Sequence, residues 1–411
     1  MNISPLNIIA ARDIGAVPSS AAIENYQLKK IQETIKYVRA NSRFYNKKLQ
    51  KFSEISSFSD LEKLPFTYPS DLSAEPNSFL CLPPDKIARA VTLATSGTTG
   101  KPKRVFFTAE ELERAVNFFA LGMTAIATPE GLTAILLPGQ TPASVADLLS
   151  VALARSGRKS LILGPVIDCA EILQKINDFR ADCVVGLPSQ IFALARTGVA
   201  KNVKRVLLIS DFSANSLMKS IDNLWNCKVF THYGLTESGY GGAVMCEARS
   251  GNHIRETDLF IEIIDPKSGK TQKNGEWGEV VFTTLNRVAQ PFIRYRTGDI
   301  SRILPGICNC GSELRRLDRI LGRSKSGFTF ENGEKITITE LDEILYEISE
   351  IRAFEASANN RKLSIIIDGG NPEIALEKLK QMPQLQNINI KISEGNVRFN
   401  GVAKREIRRE L

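Results

Sequence analysis

TLATSGTTGKPKRVFFT, residues 92–108, sets a small glycine- and hydroxyl-rich segment between two apolar runs, with Val91 and Leu93 before it and Val105, Phe106 and Phe107 after it. Short apolar runs on either side of such residues read as strand, loop, strand. Glycines let backbone amides approach an anion closely, and hydroxyls and the ammonium of Lys101 or Lys103 add further donors. The stretch from Thr95 to Lys103 therefore suits phosphates. It is not the P-loop of nucleotide-hydrolysing enzymes, because the pattern GxxxxGK[ST] fails at Pro102, which follows Gly100 and Lys101. Taken alone, the same residues also read as a flexible surface turn.

The rest of the chain supplies the context. Its 411 residues are 43% hydrophobic and 24% charged, a globular composition with room for a large core and about two or three domains. A net charge of +8 fits an anionic ligand such as a nucleotide. The basic residues are too dispersed to argue for a nucleic-acid partner, and the one dense cluster, AKREIRRE at 403–410, carries acids as well. No apolar run approaches the roughly 20 residues that cross a membrane. The first residues lack the basic start and apolar core of a signal peptide. A cytoplasmic protein is expected, in which the seven cysteines more often bind metal than pair.

Periodicity predicts a helix over 21–51, then a surface loop over 61–76. From residue 91 short apolar runs (LTAILLPG, KSLILGP, ADCVVGLP, VKRVLLIS) alternate with amphipathic segments (SVADLLSVALARSG, AEILQKINDFR). That alternation predicts a mostly parallel α/β sheet, with ligands at the carboxyl ends of its strands. After residue 257 the texture becomes strand, glycine-rich turn, strand, so a β-rich subdomain is expected. From 324 onward strands and helices mix as in a small α+β domain.

Four motifs lie along this frame: TSGTTGKPK (95–103), HYGLTESG (232–239), YRTGD (295–299) and LGRSKSG (321–327). In this order and spacing they resemble the adenylate-forming, AMP-binding superfamily. With VRANSRFYNKKL, LPFTYPSDL, IIDPKSGK, GEVVFTTL and IRYRTGDISRILPG, the chain is similar to the phenylacetate–CoA ligase branch from about residue 27 to its end. The resemblance implies a large AMP-binding domain over 1–323 and a small mobile C-terminal lid over 324–411, hinged at Lys325. It implies activation of a carboxylic acid, aromatic or arylacetic, by ATP and Mg2+ to an acyl-adenylate, followed by transfer to coenzyme A. Loading of a carrier protein is the alternative acceptor chemistry, and a homo-oligomer is left open.

The resemblance also assigns roles. Thr95, Ser96, Gly97, Thr98, Thr99, Gly100 and Lys101 hold the β- and γ-phosphates. Tyr233 lies against adenine, Gly234 adjoins the acyl pocket, Thr236 contacts the α-phosphate, and Glu237 binds magnesium. Asp299 accepts from the ribose hydroxyls, and Arg323 sits near ribose or phosphate. Gly186, Pro188, Ser189, Phe192 and Tyr240 line the acyl pocket. Near the C-terminus the family places a lysine after a glycine. Here Val402 follows Gly401 and Lys404 comes two residues later, on the same face of an extended segment. Lys404 is the expected substitute; without one, the chain would bind an adenylate with little turnover. A second departure is SDFSANS at 210–216, where relatives carry a glycine-rich adenine-contacting stretch.

Cys246, His253, Cys308 and Cys310 stand apart from the other cysteines. Three thiols and an imidazole make a closed tetrahedral shell for a structural zinc ion. The C-x-C spacing is a weaker signal than C-x-x-C.

Overall fold

The computed structural model describes residues 4–93, 102–323, 327–399 and 405–410. Thr95, Ser96, Gly97, Thr98, Thr99, Gly100 and Lys101, the hinge residue Lys325, and Val402 and Lys404 lie outside the described residues. The chain divides into two compact units, each assembled from two separate stretches: Met1–Ala125 with His232–Arg319, and Ile126–Thr231 with Ile320–Leu411. The α/β class expected from the sequence is the observed one.

The second unit contains the parallel sheet. Strands Lys159–Ile162, Leu132–Ile135, Cys183–Gly186 and Arg205–Leu208 lie in that spatial order, and Arg205–Leu208 pairs onward with Lys228–Thr231, all parallel. The apolar runs of Leu132–Ile135, Cys183–Gly186 and Arg205–Leu208 are buried on both faces, as crossover helices require, while the edge strand Lys159–Ile162 is partly exposed. Those helices are Val145–Arg155, Cys169–Asp178, Pro188–Thr197 and Asn215–Trp225. The C-terminal stretch forms a four-stranded sheet, Asn389–Glu394, Lys362–Asp368, Ala353–Asn359 and Arg408–Arg409, with helices Ile338–Leu345 and Pro372–Lys380. Its apolar residues join those of 126–231 in one core: the Phe192 ring meets the Tyr346 ring at 4.5 Å, and both are fully buried.

A helix end in this unit is satisfied from a distance. Ala214, at the start of helix Asn215–Trp225, has no side chain to cap it. The Glu343 carboxylate accepts from Asn215 N at 3.2 Å and Ser216 N at 3.3 Å instead. An anion at a helix N-terminus satisfies orphan amides and meets the positive end of the dipole.

The first unit is the β-rich one. Strands Leu259–Ile264, Gly278–Thr284 and Tyr295–Ser301 form an antiparallel sheet, and Arg89–Leu93 pairs with Lys103–Phe107 as a hairpin. The expected helix over 21–51 is two helices, Ser20–Asn41 and Arg43–Leu49. Ser42 separates them in extended conformation, and its hydroxyl accepts from Tyr45 N at 3.3 Å. The expected loop over 61–76 is also different. It contains helix Pro69–Ala74 and buries Leu61, Leu64, Thr67 and Leu72. Among the described residues no helix is long and apolar enough to cross a membrane.

Candidate active site

The chemistry-bearing residues of the first unit converge on two carboxylates. Glu237 sits just after strand Lys228–Tyr233, in a turn closed by Ser238 N to Leu235 O at 3.2 Å and Tyr240 N to Leu235 O at 3.0 Å. Tyr240 holds a left-handed backbone, φ 68°, and the chain doubles back so that Gly242 N reaches Tyr233 O at 2.9 Å. This turn buries the Glu237 side chain, only 2% of the residue remaining exposed. The Lys103 ammonium pairs directly with Glu237 Oε1. The Tyr295 hydroxyl donates to the same oxygen at 2.9 Å, and Arg287 Nη1 donates to the Glu237 carbonyl at 3.3 Å. Burial pushes the Glu237 carboxyl up, but the Lys103 ammonium and the hydrogen bonds from Lys103, its own backbone and Tyr295 outweigh it, so the net direction is down. Glu237 is thus kept as a carboxylate in a buried place.

The second carboxylate is Asp299. Its strand is irregular: the pairing with Gly278–Thr284 shifts register between Glu279 and Val281. Gly298 takes φ 79° there, a conformation that favours glycine. Gly298 N donates to Glu279 Oε1 at 3.0 Å, and Thr297 Oγ1 donates to Val280 O at 2.7 Å and accepts from Asp299 N at 3.0 Å. Such bulges re-aim a side chain. Asp299 ends 6% exposed, with Tyr233 Oη donating to its Oδ2 at 3.0 Å.

The remaining expected residues are placed as follows. Thr236 and Gly234 are half-buried in the same turn, and the Tyr240 ring stacks on Phe107 at 4.8 Å. Arg287 lies over the same Phe107 ring, its guanidinium 4.4 Å from the ring centre. In the second unit, Gly186, Pro188 and Ser189 are buried at the strand-to-helix junction, and Arg323 is exposed. The Phe192 ring is committed to packing on Tyr346. Two participants, Tyr295 and Arg287, have no role assigned from the sequence. Tyr295 and Arg287 contact Glu237, and Lys103, one of the two lysines read as phosphate donors, is paired with it. Tyr295 opens the YRTGD motif, so its position was the only available signal.

Cys246, His253, Cys308 and Cys310 are brought together and are all buried, their ligand atoms within 4.8 Å of one another. Cys246 Sγ is 3.7 Å from Cys308 Sγ, too far for a disulfide. Cys310 Sγ lies 3.4 Å from His253 Nε2. His253 Nδ1 faces Leu314 O at 3.2 Å, which fixes Nδ1 as the protonated nitrogen and turns the Nε2 lone pair toward the thiols. Burial drives the imidazole down to about 4, so it is neutral. The donor set fits a tetrahedral zinc ion with no open position.

Comparison with known proteins gives the family and the fold. A family model described as AMP-binding enzyme matches residues 18–288. The phenylacetate-coenzyme A ligase of Pseudomonas putida is 28% identical over 358 residues, 80% of this chain and 77% of that one. The phenylacetate-coenzyme A ligase of Escherichia coli (strain K12) is 29% identical over 327 residues, 74% of this chain and 71% of that one. The crystal structure of 2-hydroxyisobutyryl-CoA ligase in the postadenylation state superposes with a TM-score of 0.81 at 20% identity, covering 95% of this chain and 90% of that one.

Proposed function

The chain belongs to the AMP-binding enzyme family, and from that premise we propose that it activates a carboxylic acid with ATP and passes the acyl group to coenzyme A. A carboxylate oxygen of the acid attacks the α-phosphorus of ATP and pyrophosphate leaves. The thiolate of coenzyme A then attacks the acyl carbonyl and AMP leaves. Both steps ask for charge stabilisation and positioning rather than for a nucleophilic side chain. The acid is proposed to be aromatic or arylacetic, the class that includes the substrate named for the Pseudomonas putida and Escherichia coli relatives.

The observation that carries this reading is the pair of buried carboxylates, Glu237 against Lys103 and Tyr295, and Asp299 against Tyr233. Asp299 takes the ribose hydroxyls as acceptor, and Tyr233 lies along adenine. Lys103 is free to exchange its internal partner for a phosphate, and Thr236 donates to the α-phosphate. Residues Thr95 to Lys101 wrap the β- and γ-phosphates, and Arg323 serves the ribose side. A buried, ionised carboxylate is a hard oxygen donor of the kind magnesium accepts beside phosphates, and Glu237 would hold that ion. Magnesium would supply neutralisation of phosphate charge.

Gly186, Pro188, Ser189, Phe192 and Tyr240 remain the proposed acyl pocket, with Phe192 acting through packing. Residues 324–411 are proposed as a lid turning at Lys325, with Lys404 replacing the lysine absent at Val402. Opening that lid has to break the contacts of Tyr346 with Phe192 and of Glu343 with helix Asn215–Trp225. The zinc shell of Cys246, His253, Cys308 and Cys310 is structural in this reading.

ATP–pyrophosphate exchange without thiol, over aryl, arylacetic and fatty acids, tests the proposal. Exchange with one acid class is expected, lost in Lys404→Ala. Protein that binds ATP yet exchanges with no acid would refute it.

A further inference from the structure

The residue before the site tyrosine is a histidine, and its ring has an unusual setting. His232 packs against two phenylalanines, with ring centres 5.9 Å from Phe118 and 6.5 Å from Phe119. The residue as a whole is only half-buried, yet its Nε2 is fully enclosed and has no hydrogen-bond partner. A buried polar nitrogen without a partner is destabilising and calls for a reason. The other ring edge supplies one. A side-chain carbon placed on Gly234 would lie 2.7 Å from His232 Cε1 and 2.5 Å from Tyr240 O. On Gly241 it would collide with the Phe118 ring at 2.2 Å. The two glycines thus leave the imidazole edge and the Phe118 face pressed against the turn that carries Tyr233, Glu237 and Tyr240. A half-turn of the ring exchanges Nε2 with Cε1. It brings the unpartnered nitrogen to the side of Gly234, where the acyl group is proposed to lie.

We propose that His232 is a specificity-determining residue whose ring nitrogen hydrogen-bonds a neutral polar substituent of the acid, a hydroxyl, amine or carbonyl. This rests on the adenylation reading of the same site. Burial lowers the imidazole to about 4, so the ring is uncharged at neutral pH and offers one donor and one acceptor. Its aromatic surroundings suit a ring-bearing acid, and an uncharged partner does not select for a second carboxylate. The favoured substrates are therefore hydroxy-, amino- or oxo-substituted acids over their unsubstituted parents.

Matched pairs of acids, such as benzoate with hydroxybenzoates and phenylacetate with hydroxyphenylacetates, separate the outcomes in ATP–pyrophosphate exchange. The wild-type chain is expected to favour one substituted member by about tenfold or more in kcat/KM, the size of one well-made hydrogen bond. His232→Leu should abolish or invert that preference while retaining exchange with the unsubstituted acid. His232→Gln, which keeps a donor and an acceptor, should restore part of it. Thermal melting of each variant checks folding. If His232→Leu does not fold, loss of the preference in His232→Phe, with part of it kept in His232→Gln, decides the same point. Equal kcat/KM ratios in wild type and folded variants would overturn the role of His232 and leave adenylation standing. Absence of exchange with every acid would overturn both.

Discussion

Replacing Tyr295 by phenylalanine removes one oxygen from the centre of the site. The Tyr295 hydroxyl reaches Glu237 Oε1 at 2.9 Å, and the two residues are 1% and 2% exposed. A hydrogen bond to an ionised acceptor contributes roughly 1.5–3 kcal/mol. The Lys103 ammonium faces the same oxygen and remains in the variant, so the lower part of that range applies, about 1.5–2 kcal/mol. At 1.36 kcal/mol per factor of ten, kcat/KM for ATP should fall roughly 10- to 30-fold. The ring itself stays packed against Phe282 and Phe292, with centres 5.2 and 5.1 Å away, so the loss of stability should not exceed that one hydrogen bond and the melting temperature should fall by only a few degrees. The assay is ATP–pyrophosphate exchange at saturating acid, with magnesium varied. Exchange within twofold of wild type, with unchanged magnesium dependence, would refute the idea that Tyr295 holds the Glu237 carboxylate for work on ATP.

Three further outcomes follow from the same geometry. Asp299→Ala removes the partner of Tyr233 and the proposed ribose acceptor, and should weaken ATP binding about tenfold or more by calorimetry; unchanged affinity would detach the YRTGD motif from the nucleotide. Glu343→Ala uncaps helix Asn215–Trp225 and should cost about 1 kcal/mol, read by urea unfolding through the buried Trp225 in a Trp277→Phe background; an unmoved midpoint would show that the cap contributes nothing. Protein purified without chelator should carry about one zinc per chain, lost in Cys310→Ala together with a lower melting temperature; metal-free wild-type protein of equal stability would remove the zinc shell.

Much of this was legible in the sequence, for identifiable reasons. The helix that starts at Ile338 was readable from its amphipathic run, and the structure closes its first turn with a local capping box, Thr337 with Glu340. The inner parallel strands were readable because burial on both faces leaves unbroken apolar runs. The break at Ser42 was not, because the flanking residues keep helical spacing and a single serine hydroxyl decides the matter. The cluster of Cys246, His253, Cys308 and Cys310 was readable by residue type, but only the fold shows that Cys310 and His253 meet. Tyr295 and Lys103 reach Glu237 from 58 and 134 residues away, and no local pattern encodes those distances. The resemblance assigned Phe192 to the acyl pocket; that its ring packs on Tyr346, in another stretch of the chain, is written in no local pattern.

The order of the stretches has a consequence for biogenesis. The second unit begins at Ile126 but is completed only by residues after Ile320. A ribosome lays down the remainder of the first unit, His232–Arg319, in between, and nascent domains fold as units in the order in which they emerge. Strands Leu132–Ile135 and Cys183–Gly186 are thus made long before Tyr346 arrives to cover Phe192, or Glu343 to cap the helix at Asn215. Through that interval an apolar face of the nascent chain has no native cover. It is where a chaperone would be recruited and where a chain cut short after residue 319 would aggregate.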